Sequence, residues 1–360
     1  MTAGMLKLVH TESSLAWGGQ EIRIFTELGE LMKFGWSVEL WAPDHADIFS
    51  RARSAGMAVE AVPFRGTFDL GSILRVRRLI RERGVDLVVT HSSVDSWVVG
   101  FATRCLRRRP AIIRTRHLST SIRNGLSYRW FPDAVCTTSE AIRQAILRLG
   151  VPSDRVESIP TGVDLRRFQP NPDQKLAMRK KYSLPEDRPL VGGVFVIRSW
   201  KGIIDFVKIV LAAPNAHFVI AGVGPSRDRM QAEADRLGVL RRMTFLGHVE
   251  PVEEIFWALD VFLFPSTANE GVPQALLQAQ ACGVPSVVSD LPSLREASTH
   301  ALFCPPGAVR MFAEAVDGIL GNPERARRMA EDGRADARRY DQADAMRRID
   351  RFYRRWIRRQ

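Results

Sequence analysis

Short apolar runs alternate with amphipathic stretches of helical period along most of the chain. The first half predicts strands at Leu6–His10, Val38–Ala42, Ala58–Pro63, Leu87–His91, Ala111–Thr115 and Ala134–Thr137. Helical stretches such as Gln20–Phe34 and Ile73–Arg83 lie between them. The pattern restarts at Leu190–Val196 and continues with His217–Ala221, Met243–Leu246, Val261–Phe264 and Ser286–Ser289. Strand–helix alternation predicts parallel sheets covered by helices on both faces. Two such series predict an α/β chain of two doubly wound, Rossmann-like domains. The Pro-rich polar stretch from Ile159 to Pro189 reads as the linker between them. Such sheets place ligands at the carboxyl ends of their strands, so two of them are expected to face across a cleft.

The last segment, Gln342–Gln360, carries Ala345, Ile349, Phe352 and Trp356 at helical spacing, with Tyr353 beside them. Its other face is dominated by Arg347, Arg348, Arg351, Arg354, Arg355, Arg358 and Arg359. A terminal helix docked on the protein is the favoured reading, and a basic helix lying on a membrane surface is the other.

A length of 360 residues suits two domains, and a hydrophobic share of 45% allows a sizeable core. No apolar run is long enough to span a bilayer, and the N-terminus lacks the apolar core of a signal peptide. Cys105, Cys136, Cys282 and Cys304 form no metal or redox pair, which points to free thiols in the cytoplasm. The net charge of +12 is uneven. Between Ser96 and Pro132 stand Arg104, Arg107, Arg108, Arg109, Arg114, Arg116, Arg123 and Arg129 with no acidic residue. One face of the first half is therefore expected to attract polyanions, anionic lipid or nucleic acid.

The most informative segment runs from Pro265 to Gly283. A strand ends at Phe264, and Asn269-Glu270-Gly271-Val272-Pro273 then opens a helix, with Pro273 in the first turn. Free amides and the positive dipole end at that helix start suit a phosphate. Glu270 adds an acceptor for hydroxyls, and Gln278 lies two turns on. Phosphate donors beside hydroxyl acceptors suit a nucleotide diphosphate-sugar. Three further segments follow strands: Gly18-Gly19 before a helix, Arg114-Thr115-Arg116-His117, and Arg198-Ser199-Trp200-Lys201. Arg198 offers a planar fork and Lys201 a point charge to a diphosphate. Two strands also end in glycine, at Gly222-Val223-Gly224 and at Gly247.

Taken in order, these segments resemble retaining glycosyltransferases of family 4, from Val9 to about Glu296. That family usually carries Glu-x7-Glu where this chain has Glu270 and Gln278. It also spaces the Arg and Lys further apart than Arg198 and Lys201. The resemblance implies a GT-B fold: an N-terminal acceptor domain (1–165), a C-terminal nucleotide-sugar domain (166–341) and a terminal helix (342–360) returning to the first domain. It implies that Gly18, Gly19, Arg198, Lys201, Gly224, Gly271, Val272 and Pro273 hold the donor. Glu270 would bind the donor sugar, Gln278 the ribose, and His117 would sit at the reacting centre, with His91 as competitor. Retention of configuration follows from the resemblance. No cofactor is expected beyond a UDP- or GDP-linked substrate. The missing Asp-x-Asp motif, with Arg198 and Lys201 present, predicts transfer without metal. The expected partners are the nucleotide-sugar, a cell-envelope glycan or lipid-linked acceptor such as lipopolysaccharide core, and the inner face of the cytoplasmic membrane; no nucleic acid is expected. A nucleotide-sugar epimerase of the same fold and a basic nucleic-acid-binding protein are the two rivals.

Overall fold

The computed structural model describes residues 5–122 and 125–357. Arg123, Arg358 and Arg359 of the predicted basic faces lie outside the described residues. The chain forms two compact domains, one from Met1–Thr161 together with Ala343–Gln360, the other from Gly162–Gln342.

The first domain is a seven-stranded sheet: β1 (Leu6–Thr11), β2 (Trp36–Ala42), β3 (Ala58–Ala61), β4 (Leu87–Thr90), β5 (Ala111–Arg116), β6 (Ala134–Thr137) and β7 (Val156–Ser158). Their spatial order is β3-β2-β1-β4-β5-β6-β7, with every pairing parallel. The strands are apolar on both faces (β4 is wholly buried), as a sheet covered by helices on both sides requires. The order reverses between β1 and β4.

The second domain holds β8 (Leu190–Val194), β9 (His217–Ala221), β10 (Met243–Gly247), β11 (Val261–Phe264), β12 (Ser286–Ser289) and β13 (Leu302–Cys304). They lie in the order β10-β9-β8-β11-β12-β13, again all parallel, and the reversal falls between β8 and β11. One continuous core of Leu190, Phe206, Phe218, Phe256, Phe262, Leu276 and Phe312 fills the space between sheet and helices.

The segment expected as a linker is part of the second domain. Phe168 and Leu184 are buried in its core. Helix Lys175–Lys181 is fastened by Arg179, whose guanidinium bonds Asp260 at 2.6 Å and the Ala258 carbonyl at 3.0 Å. Its prolines punctuate turns there and do not mark a flexible tether. The domain boundary falls at Thr161/Gly162.

The terminal helix, Gln342–Ile357, packs on the first domain's core through Ala345, Ile349, Phe352, Tyr353 and Trp356. Trp36 Nε1 donates to Asp350 at 2.7 Å, and the Tyr353 hydroxyl donates to Glu27 at 2.9 Å. Its apolar face is thus covered by protein. Part of its basic face is engaged too: Arg355 pairs with Glu157, and Arg354 pairs with Asp350 and lies over the Trp36 ring.

The arginines between Ser96 and Pro132 do not form one face. Arg114 is buried over the Tyr128 ring, Arg109 pairs with Asp133, Arg108 with Asp86, and Arg116 bonds Thr120. Four of them sit next to strand ends or loops and serve the fold there. Among the described residues the polyanion-facing set reduces to Arg104, Arg107 and Arg129, which are exposed.

Candidate active site

In both domains most of the candidate residues follow the carboxyl ends of strands at or next to the order reversal, the position where ligands bind in such sheets. Two loops of the second domain meet there. The first follows β8. It runs through Phe195 and Ile197, which bond Ala221 and Val223 backbone carbonyls at 3.1 and 2.9 Å, to a short turn at Ser199–Lys201. The second follows β11. Thr267 N–H donates to the Trp200 carbonyl at 2.7 Å, locking the two loops together. Gly202 makes this possible: it is left-handed (φ 67°), and a Cβ there would lie 1.9 Å from the Pro265 carbonyl oxygen.

The locked loops bring Lys201 and Glu270 together. Lys201 Nζ lies 2.7 Å from Glu270 Oε1 and 2.9 Å from Oε2. Ser266 Oγ lies 2.5 Å from the same Oε1 and 2.9 Å from the Trp200 carbonyl. Glu270 is buried, and Lys201 also lies 4.8 Å from the Phe264 ring centre. Glu270 therefore neutralises and aims Lys201. Oε2 keeps lone pairs for a hydroxyl, and Lys201 keeps one N–H for an anion. Ser266, the third member, escaped the sequence reading because a lone serine after a strand carries no signal. Arg198 stands on the same loop, its guanidinium 5.2 Å from the Trp200 ring.

The helix after Glu270 runs Gln274–Ala281, with Pro273 capping it in extended conformation rather than sitting in the first turn. The turn's left-handed residue is Asn269 (φ 63°). Glu270 lies outside the helix, and the two-turn spacing to Gln278 does not describe their relation. Gly271, Val272 and Pro273 are buried, and Gln278 is half-buried on the helix. Gly224 packs on the neighbouring loop: a Cβ would meet Ile197 backbone atoms at 2.4 to 2.8 Å. Its glycine shapes the loop that carries Arg198.

In the first domain, Gly18 caps helix Gly19–Lys33, and its N–H donates to Glu21 Oε2 at 2.9 Å. Gly19 is exposed, and nothing lies within 4 Å of where its Cβ would be. His117, just past β5, is buried and joins a ladder: its Nε2 lies 3.0 Å from His91 Nδ1, and His91 Nε2 lies 2.9 Å from His10 Nδ1. His91, the competitor in the sequence, is thus the immediate neighbour of His117. Burial lowers His10 to about 4 and holds His91 and His117 well below the usual histidine range. His117 is a neutral ring near pH 7.

Beside the Gly18-Gly19 turn, Glu12 accepts from Ser92, Gln20 and the Ser14 amide. Burial, then the nearby Asp95 and Glu21 carboxylates, push Glu12 up to about 8. Asp95 rises to about 6 through burial, although the amides of His91 and Ser92 and the Thr11 hydroxyl all donate to it. Sequence reading missed this group. Its only sequence signal was the recurrence of polar residues at the ends of β1 and β4.

Comparison with known proteins follows the same division. Residues 17–167 match the family described as Glycosyltransferase Family 4, and residues 174–336 match Glycosyl transferases group 1. A GDP-mannose-dependent alpha-(1-6)-phosphatidylinositol dimannoside mannosyltransferase of Mycobacterium tuberculosis is 30% identical over 270 residues, 74% of this chain and 67% of that one. The chain belongs to glycosyltransferase family 4. An Escherichia coli UDP-Gal:alpha-D-GlcNAc-diphosphoundecaprenol alpha-1,3-galactosyltransferase is 27% identical over 62% of each chain. Three curated relatives of this family are matched over 57%, 48% and 62% of their own lengths. The crystal structure of Anabaena Alr3699/HepE with UDP and glucose has the same fold, with a TM-score of 0.85 at 17% identity over 96% of this chain and 98% of that one. The GT-B architecture of the family 4 enzymes is therefore that of this chain.

Proposed function

We propose that this protein is a retaining glycosyltransferase that moves a sugar from a nucleotide diphosphate-sugar to a hydroxyl of an envelope glycan or lipid-linked acceptor. The observation that carries the reading is the Lys201–Glu270 pair at the β8/β11 reversal, beside Arg198 and the start of helix Gln274–Ala281. A diphosphate gains negative charge as the glycosidic bond to it breaks. Lys201 and Arg198 are fixed cations for that charge, and the helix start adds amide donors. This is work that a divalent ion does elsewhere, so transfer is expected to proceed without metal. The relatives named for GDP-mannose and UDP-galactose support a nucleoside diphosphate donor.

Glu270 Oε2 would receive a sugar hydroxyl, and Gln278 the ribose through its amide. Gly19, with open space above it, would let the diphosphate approach the backbone. His117 would meet the sugar at the reacting centre. No carboxylate stands out as a nucleophile, so the leaving phosphate itself would take the acceptor proton on the front side, which gives retention. A nucleotide-sugar epimerase would convert UDP-sugar without acceptor, and product analysis separates the two.

No helix among the described residues is long and apolar enough to cross a membrane. A peripheral contact has one physical support, and it is not the terminal helix. Phe68, Leu70 and Leu74 are 76%, 65% and 58% exposed. Phe68 stacks near Phe101, and Phe101 near Trp97, with centroids 5.7 and 5.6 Å apart. Such an apolar patch, with exposed Arg104 at the end of the neighbouring helix Ser93–Thr103 that carries Trp97 and Phe101, suits the interface of an anionic bilayer at the cytoplasmic face.

A thermal-shift panel of UDP, GDP, ADP, CMP and UDP- and GDP-sugars, with and without EDTA, tests the donor site. A ligand at about 100 times its Kd adds about 2.7 kcal/mol. One selective, EDTA-insensitive shift is the expected result; no shift with any diphosphate would overturn the reading.

A further inference from the structure

Three histidines occupy the carboxyl ends of neighbouring strands: His10 in β1, His91 after β4 and His117 after β5. The middle ring uses opposite nitrogens for its two links, Nε2 toward His10 and Nδ1 toward His117. A neutral imidazole has one N–H and one lone pair. Three neutral rings linked in this way can be protonated in only two consistent patterns. Either all N–H bonds point inward, toward His10, or all point outward.

The inner end distinguishes them. His10 Nε2 has no hydrogen-bond partner among the described residues and lies 3.9 Å from Glu27 Oε2. Glu27 is fixed there, its Oε1 taking Arg23 Nε at 2.6 Å and its Oε2 taking the Tyr353 hydroxyl at 2.9 Å. Arg23 is itself anchored on the Ile159 carbonyl at 2.7 Å. Glu27, Arg23, His10 and Tyr353 are all fully buried, so their fields are little screened. A carboxylate attracts an N–H and repels a nitrogen lone pair. Exposure rises along the ladder from 0% at His10 to 4% at His91 and 9% at His117, which is its open end.

We infer that Glu27, acting through His10 and His91, sets the tautomer of His117. His10 carries its proton on Nε2, facing Glu27. Its Nδ1 accepts from His91 Nε2–H, and His91 Nδ1 accepts from His117 Nε2–H. His117 Nδ1 is left as a bare acceptor. A group that meets His117 must then bring a proton of its own: a hydroxyl as donor is accepted, and an ether or carbonyl oxygen is refused. Glu27, His10 and His91 are positioning residues in this scheme. What meets His117 rests on the reading under Proposed function; the ladder's polarity does not.

The test is long-range proton–nitrogen NMR on the full-length protein labelled at histidine nitrogens, without nucleotide, near neutral pH. His91→Asn and His117→Asn assign the rings. Wild type is expected to show all three rings protonated at Nε2, with His117 Nδ1 in the bare-nitrogen range. Protonation of His117 at Nδ1 would overturn the inference. Glu27→Gln is expected to move His117 to a mixture of tautomers, and an unchanged tautomer in that folded variant would remove Glu27 from the scheme. Should Glu27→Gln not fold, His10→Phe is read in the same way, with averaged His91 and His117 nitrogens expected and unchanged ones overturning it. A separate titration with UDP- and GDP-sugars reports on donor binding, so failure of the transferase reading leaves the tautomer result standing.

Discussion

Lys201 Nζ bridges both carboxylate oxygens of Glu270 across 69 positions of sequence. The pair exists because Gly202 lets the Lys201 turn close onto the loop after β11. It makes the two residues one unit, and their substitutions are expected not to be additive. Lys201→Ala should lower kcat by about 10²-fold or more, because it removes a cation from the leaving diphosphate. Glu270→Ala should do the same and also cost about 1–3 kcal/mol of stability, since it leaves a mostly buried ammonium unpaired. A double-mutant cycle read by kinetics and chemical denaturation checks both; simple additivity would show that the pair does not act together.

Two glycines separate fold from function. Gly202→Ala forces a left-handed residue and a clash with Pro265, so it should cost about 2 kcal/mol or more and lower Tm. Gly19→Ala meets open space and starts a helix, so Tm should hold or rise slightly. If Gly19 lies under the diphosphate, the same variant should weaken UDP or GDP binding at least tenfold. Calorimetry on both variants reads the two effects apart.

Gln278→Glu should leave folding unchanged, because the half-buried Gln278 sits on one helix face and its backbone bonds do not involve the side chain. A carboxylate accepts more strongly from ribose hydroxyls than an amide does. Nucleotide affinity should rise several-fold by titration calorimetry. A fall would mean that the amide N–H, not the oxygen, faces the ligand.

Stability should fall on both sides of neutrality. His10 has a folded value of about 4 against 6.5, and His91 and His117 are depressed as well. The unfolded chain therefore takes up protons first as pH falls below about 6.5, and stability is lost through pH 4. His10 alone accounts for about 3 kcal/mol of that loss, at 1.36 kcal/mol per unit. Glu12 is raised from 4.5 to about 8, so its contribution is complete below 4.5 and is lost as pH rises through 8. Urea denaturation of the protein from pH 4 to 9 should give a maximum near neutrality with the steeper fall on the acid side. Asp95, raised to about 6, and Glu12 slope the opposite way over pH 4 to 6. The ladder's share is therefore read as the difference between wild type and His10→Phe; an unchanged pH slope in that variant would show that the ladder opens to water.

Buried interior strands were legible from apolar runs alone: Ala134–Thr137, His217–Ala221, Val261–Phe264 and Ser286–Ser289 have the expected bounds. Val156–Ser158 and Leu302–Cys304 were not, since edge strands of three residues bury too little to leave a run. Lys201 and Glu270 could be singled out from strand-end motifs, but their contact across 69 positions could not. The ladder of His10, His91 and His117 was not. Its members are 81 and 26 positions apart, and only the strand order β1-β4-β5 makes them neighbours.

The sequence by itself determined the class of fold and the two strand–helix series, and it marked the strand-end loops that carry Lys201 and Glu270, because burial periodicity and strand-end motifs are local properties. Tertiary structure decided which charges act and which are spent on the fold. Arg114 and Arg179 looked like any other arginine, and only packing buried them on Tyr128 and Asp260. It also decided that Glu270 holds Lys201, that residues 162–189 belong to the second domain, and that the terminal helix spends its apolar face on the core. Each of these depends on what lies across space from a side chain. Local sequence does not encode that, because the contact is made by strands joined in an order the chain does not spell out.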